Sequence, residues 1–156
     1  MSQHCPEVVE YLAHVDALYA SVKRWVGELD AVEAESPAEM NEEDYGKYSV
    51  PRLVLKTREG KELARLDPAG AGVVLAFGGI DLHGRFRSDF LYYFKGRGFL
   101  FERPPVNGIP SAPTPAFEGI DGDGWYWVDS TPSLRAHRVD EDGFRELLEL
   151  VSDYGR

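Results

Sequence analysis

The stretch between residues 51 and 139 constrains the fold most, because short apolar runs alternate there with turn-forming residues. Runs of about four to eight residues that are rich in β-branched and aromatic side chains predict strands when Gly, Pro, Asn or Asp bound them. Tight turns between successive strands pair them antiparallel. The sequence therefore predicts an antiparallel sheet of about six to seven short strands, at residues 52–57, 62–66, 73–83, 89–94, 99–103, 125–128 and 134–139.

Two of these runs, residues 73–77 and residues 89–94, are apolar on both faces, which is typical of central strands. The pair Gly78-Gly79 interrupts the first run, and the strand is expected to continue beyond a bulge. The segment 67–70 (DPAG) before it predicts a turn.

Residues 6–35 predict one long helix, because apolar side chains recur every seven residues and no proline intervenes after Pro6. Pro37 is expected to stop this helix. A stripe this regular has two uses that the sequence leaves open: packing on the chain's own sheet, or pairing with a second copy or a partner. The rows of the stripe are Val8, Val15, Val22 and Leu29, and Tyr11, Leu18, Trp25 and Val32.

A second helix is predicted at residues 141–154, with Asp140 or Asp142 as its cap. Helices at both ends of the chain can cover one face of the sheet, which gives a single α+β domain over residues 1–156. Between these elements we expect an irregular acidic segment at residues 36–50, from which Tyr45 and Tyr48 pack inward. The segment 104–115, with five prolines, predicts an extended loop outside any sheet ladder.

The net charge of −10 is unevenly distributed. Residues 1–50 carry 11 acidic and 3 basic side chains, whereas residues 51–115 carry 6 acidic and 10 basic ones. One explanation of this uneven charge is a mildly basic sheet flanked by acidic helices. Two others are an anion-binding site in the middle segment and an acidic face that binds a basic protein. The overall charge disfavours nucleic acid as a partner. The single cysteine, the lack of a secretory leader and the short apolar stretches predict a cytoplasmic protein with no membrane association and no cofactor.

Three groups of side chains are candidate sites. The pattern Asp-Leu-His at 81–83 puts two metal-ligand side chains on one face of a strand. They would form a mononuclear metal site if acidic or histidine side chains from other strands approach them. Basic side chains at two turns predict either an anion site or ordinary protection of sheet edges. The metal candidates are Asp81, His83, Asp89 and His137, and the anion candidates are Arg85, Arg87, Lys95 and Arg97.

The third group combines aromatic and acidic residues near residue 125. Trp125 and Trp127 share one face of a strand, and that face is either core or a recognition surface. If it is a surface, we expect it to bind a protein partner through Asp121, Asp123, Trp125, Trp127 and Asp129.

These features favour a non-enzymatic protein-binding domain, such as an inhibitor, an immunity-type protein, an adaptor or a regulatory subunit. The acidic charge favours a basic protein as its partner. The alternative is a small-ligand-binding or metal-dependent hydrolytic enzyme that uses the region of Asp81, His83 and Asp89. Self-association through the helix at residues 6–35 is compatible with either function.

Overall fold

The computed structural model describes residues 4–130 and 134–155, and it has the predicted α+β architecture. A helix at each end of the chain flanks a series of strands. The helices are α1 (Pro6–Trp25) and α2 (Glu141–Val151). The strands are β1 (Asp30–Glu33), β2 (Ala38–Glu42), β3 (Gly46–Val50), β4 (Leu53–Lys56), β5 (Glu62–Gly70), β6 (Gly79–Gly84), β7 (Ser88–Phe94), β8 (Leu100–Phe101), β9 (Thr114–Pro115), β10 (Gly124–Asp129) and β11 (Arg135–Arg138).

Seven strands form the main sheet in the order β1-β4-β5-β6-β7-β10-β11, and every neighbouring pair is antiparallel. Two small hairpins, β2–β3 and β8–β9, stand outside it. The predicted strand at residues 89–94 is confirmed as β7, next to the centre of the sheet.

The first helix is shorter than predicted: it ends at Trp25, and residues 30–33 form the edge strand β1. Val26 is the C-cap residue of α1, and Gly27 lies in the turn that follows. Pairing of β1 with β4 replaces the last helical turns, and it places Val32 on an exposed edge instead of on a helical stripe. The seven-residue period continues through residue 32 although the helix does not.

Four further predictions about local structure are wrong in whole or in part. Thr114 and Pro115 pair with Phe101 and Leu100, although residues 104–115 are predicted to lie outside any sheet ladder. Residues 38–50 form the β2–β3 hairpin instead of an irregular segment. Residues 67–70 belong to β5 instead of a turn, with Pro68 paired to Ile80 beside a register shift. Residues 73–77 form an irregular loop instead of a central strand. Tyr48 is buried and Tyr45 packs against the core, in agreement with the sequence.

The sheet has two unequal faces. One face packs against both helices and forms the large core, which includes Leu82, Leu91 and Phe144. The other face carries a small cluster of Phe94, Ile120, Tyr126 and Ala136, which the chain between residues 95 and 123 partly covers.

The apolar stripe of α1 belongs to the large core. Its buried side chains are at most 4% exposed, so this face is not available to pair with a second copy or a partner. These side chains are Val8, Tyr11, Val15, Leu18, Tyr19 and Val22. Within the described part of the chain, neither helix has the length and apolar character needed to cross a bilayer.

Candidate protein-binding surface

The aromatic residues expected on a recognition surface lie largely inside the fold. Trp125 is 7% exposed and donates its indole N–H to the His14 carbonyl at 3.1 Å. Trp127 is half-buried, and its ring stacks on His137 at 4.3 Å between centroids. Both tryptophan side chains lie on the sheet face that packs against the helices. Trp125 pairs directly with Tyr93, whose side chain belongs to the large core on that face. Trp125 is therefore part of the core and does not form a free anchor.

The acidic residues of the same group are accessible but engaged within the chain. Asp121 accepts a hydrogen bond from Arg138 at 2.9 Å and another from the Tyr126 hydroxyl at 2.8 Å. The Arg138 hydrogen bond is the main cause of the lowered pKa of Asp121. Asp123 accepts from the backbone N–H of Gly96 at 2.8 Å, and Asp129 lies half-buried at the end of β10.

The four metal candidates do not come together. Asp81 and His83 share the face of β6 opposite the helices. Asp89 pairs with Leu82, and directly paired residues share a face, so Asp89 lies on the other side of the sheet. His137 is on β11, which β7 and β10 separate from β6. Among residues 4–130 and 134–155, no group of three or more His, Cys, Asp or Glu side chains is placed to hold a metal ion.

A row of polar side chains crosses β5, β6 and β7 on the face that carries Asp81. His83 Nδ1 lies 2.6 Å from Ser88 Oγ, and His83 Nε2 lies 3.9 Å from Asp67 Oδ2. Asp67 instead accepts a hydrogen bond from Arg52 at 2.8 Å. A nucleophilic serine needs a base that a third group orients through a hydrogen bond, and here that carboxylate is committed to Arg52. Ser88, His83 and Asp67 therefore do not form the oriented triad that a serine nucleophile would need.

The four anion candidates lie at opposite ends of β7. Arg85 and Arg87 are in the turn before this strand, and they pair with Asp153 and Asp89 respectively. Lys95 and Arg97 are in the turn after it, about 20 Å away at the rise of an extended strand. One small anion cannot contact both pairs.

Exposed apolar side chains lie in the loop between β5 and β6 and in the chain after β7, at one end of the sheet. Val74 is 82% exposed and Phe77 is 50% exposed in the loop between β5 and β6. Phe99 and Phe101, after β7, are 45% and 51% exposed, and their rings contact each other at 5.1 Å. Large exposed apolar patches on a folded chain mark interaction sites more often than isolated apolar residues do.

These two segments enclose a groove with a volume of about 430 Å³. We refer to it as the apolar groove; it is lined by Leu75, Ala76, Phe77, Lys95, Gly98, Phe99 and Leu100.

The sheet holds Phe77 in place through its backbone. The Phe77 N–H donates to the Tyr93 carbonyl at 2.8 Å, and the Tyr93 N–H donates to the Gly78 carbonyl at 3.0 Å. Gly78 has a φ of 144°, and a Cβ there would lie 2.3 Å from the Tyr11 ring. The close approach of Tyr11 thus requires glycine at position 78 and fixes the wall of the groove.

The tip of the same loop is strained. Leu75 has a φ of 66°, a left-handed conformation that costs a residue with a side chain on the order of 1–3 kcal/mol. Strain of this kind persists at binding sites when the surrounding structure holds it.

Comparisons of this chain with protein-family models, with curated proteins and with solved structures find no match. The surface of the fold is therefore the evidence for its function. Sequence reasoning missed the apolar groove because the run at residues 73–77 has the composition of a buried strand.

Proposed function

We propose that this chain is a non-enzymatic protein-binding domain whose contact surface is the apolar groove. The observation that carries the proposal is the exposure of Phe77 and Phe99, two aromatic side chains that line a formed groove. Aromatic side chains are enriched at the centres of protein interfaces, where their burial supplies most of the affinity. A groove with a fixed wall also binds at a lower entropic cost than a mobile loop.

The charge of the chain supports the same function. A net charge of −10 attracts basic partners over a distance and accelerates their encounter. We propose a role as inhibitor, adaptor or regulatory subunit in the cytoplasm, in which the acidic surface steers the partner and the groove retains it.

The test uses two variants that place a new negative charge at equally exposed apolar positions. Phe99 in the groove is 45% exposed, and Leu150 on α2 is 44% exposed. The wild-type chain, Phe99→Glu and Leu150→Glu serve as baits in native lysate, after circular dichroism has shown that all three are folded. We expect the wild type and Leu150→Glu to capture the same partner in stoichiometric amounts. Phe99→Glu should capture at least about tenfold less of that partner.

Equal capture by Phe99→Glu and the wild type would contradict the proposal. If Phe99→Glu does not fold, Phe77→Glu replaces it, because Phe77 lines the same groove and is 50% exposed.

A further inference from the structure

A second pocket adjoins the apolar groove where the first turn of α1 meets the loop between β5 and β6. Its volume is about 400 Å³. It shares Ala76, Phe77 and Lys95 with the groove, so the two cavities form one continuous surface. We refer to it as the acidic pocket; it is lined by Pro6, Glu7, Glu10, Tyr45, Ala71, Ala76, Phe77 and Lys95.

The walls of this pocket combine carboxylates with aromatic rings. Glu7 and Glu10 project from α1, while Tyr45 and Phe77 supply the rings. The pKa of Tyr45 is raised, first by burial and then by nearby carboxylates, of which Glu7 has the largest effect. The negative potential and the ring faces both favour a cation.

Glu42 adds to the negative charge beside this pocket and is held firmly. Its carboxylate accepts hydrogen bonds from the Tyr48 hydroxyl and from the backbone N–H of Gly72, the latter at 2.8 Å. It also accepts from the N–H of Ala71 at 3.3 Å. These contacts fix the loop that forms one side of the pocket.

The pocket already binds one ammonium group, which belongs to the chain itself. Lys95 Nζ lies 4.5 Å from the centroid of the Phe77 ring and 2.5 Å from Glu10 Oε1. Glu10 also contacts His14 Nε2 at 3.3 Å. Glu7 has no ion-pair partner among the described residues, so its charge remains for a second cation. An anion is disfavoured, because Pro6 has no N–H to donate and both glutamates repel negative charge.

We propose that the acidic pocket binds a lysine or arginine side chain of the protein partner, next to an apolar side chain of that partner in the groove. The inference rests on the proposed function and specifies its partner: a segment that places a cationic residue beside an apolar one. Complementary charge selects the cation, and the shared wall at Phe77 sets the spacing between the two side chains.

The probe is a synthetic octapeptide of alternating leucine and lysine, titrated into the ¹⁵N-labelled full chain. Its control has glutamate in place of lysine. We expect the lysine peptide to give saturable amide shifts at Glu7, Tyr45 and Phe77, and the glutamate peptide to give none. Putrescine serves as a free amine and is expected to bind at least about tenfold more weakly, because it has no apolar part for the groove.

Two pairs of variants separate a built pocket from general attraction to an acidic chain. Lys95→Met removes the internal ammonium but keeps an apolar stem, and Lys23→Met makes the same charge change near the far end of α1. We expect Lys95→Met to tighten peptide binding by about threefold, the scale of one cation–π contact, and Lys23→Met to change it much less. Glu7→Gln should weaken binding by about threefold relative to Glu146→Gln on α2, which is the scale of one exposed ion pair.

Equal effects within either pair would overturn the inference, as would shifts that map away from the pocket. Putrescine binding as tightly as the peptide would instead show a site for free amines, and the partner assignment would fail. These outcomes are distinct from failure of the proposed function. If Phe99→Glu loses the partner while the peptide does not bind, the groove remains the proposed contact surface and the acidic pocket is rejected as a cation site.

Discussion

Asp81 shows how burial acts on a single carboxylate of the sheet face opposite the helices. It pairs directly across the strands with Asp67, and His83 lies two residues along the same strand. Burial is the largest influence and raises the pKa of Asp81, Asp67 raises it further, and His83 opposes them. A carboxyl group whose pKa is higher in the folded chain destabilises the fold wherever it is ionised.

We therefore expect Asp81→Asn to raise the thermal unfolding midpoint at about pH 7, where the wild-type carboxylate is charged. The gain should disappear below pH 3.8, the ordinary pKa of this group, because the carboxyl is then protonated in both the folded and unfolded states. Calorimetry across this range measures both effects. Asp16→Asn, at an exposed position of α1, is the control for removing one charge. A loss of stability at neutral pH would show that Asp81 makes contacts that outweigh its burial.

At the scale of elements, the sequence predicted those whose pattern is set locally. The predicted strand at residues 89–94 lies within β7, and the C-terminal helix begins at Glu141 because Asp140 caps it, although it ends at Val151 instead of residue 154. The run at residues 73–77 was assigned wrongly because apolar composition does not distinguish a buried strand from a binding loop. Gly70 and Gly78, which flank this run, both have positive φ. Glycines at these positions indicate that the chain leaves the sheet between them.

The candidate site was less predictable than the fold, because it joins residues that are distant in sequence. Glu7, Tyr45 and Phe77 come from three different elements, and only the folded chain brings them into one pocket. Trp125 and Trp127 were recognised as sharing a face, but which face was core depended on where both helices pack.

The cap of α2 gives a prediction at this scale. Asp140 accepts the N–H of Gly143 at 2.7 Å, whereas Asp142 lies in the first turn and is exposed. Asp140→Ala should lower the free energy of unfolding by about 1 kcal/mol, because it leaves a helix N–H without its acceptor. Asp142→Ala should cost less, about 0.3 kcal/mol, because an exposed charge interacts only weakly with the helix dipole. Urea denaturation of both variants measures the difference, and equal losses would refute the assignment of Asp140 as the cap.

For the whole molecule, the unequal faces of the sheet imply unequal stability. The helix side buries Leu91 and Phe144 completely in the large core, whereas the other side depends on a few aromatic contacts with the loop at residues 95–123. Phe117 in that loop contacts Phe94 at 5.1 Å and Tyr92 at 6.2 Å between ring centroids. The same segment carries Phe99 and Phe101, so the Phe99 wall of the groove belongs to the less stable part of the fold, whereas the sheet holds the Phe77 wall in place. Binding segments commonly have this property, because they open locally without unfolding the rest.

Hydrogen exchange followed by mass spectrometry separates the two parts. Phe117→Ala should speed exchange of amides in residues 95–123 while those of β5 and β6 keep their protection, because the loop detaches from a sheet that the helices still cover. Leu91→Ala removes a fully buried side chain of the large core, and it should instead lower the global free energy of unfolding by about 2–5 kcal/mol and speed exchange throughout. If Phe117→Ala lowers protection in β5 and β6 as much as in the loop, the two faces unfold as one cooperative unit. The Phe99 wall would then be as rigid as the Phe77 wall, and the whole groove would be pre-organised for binding.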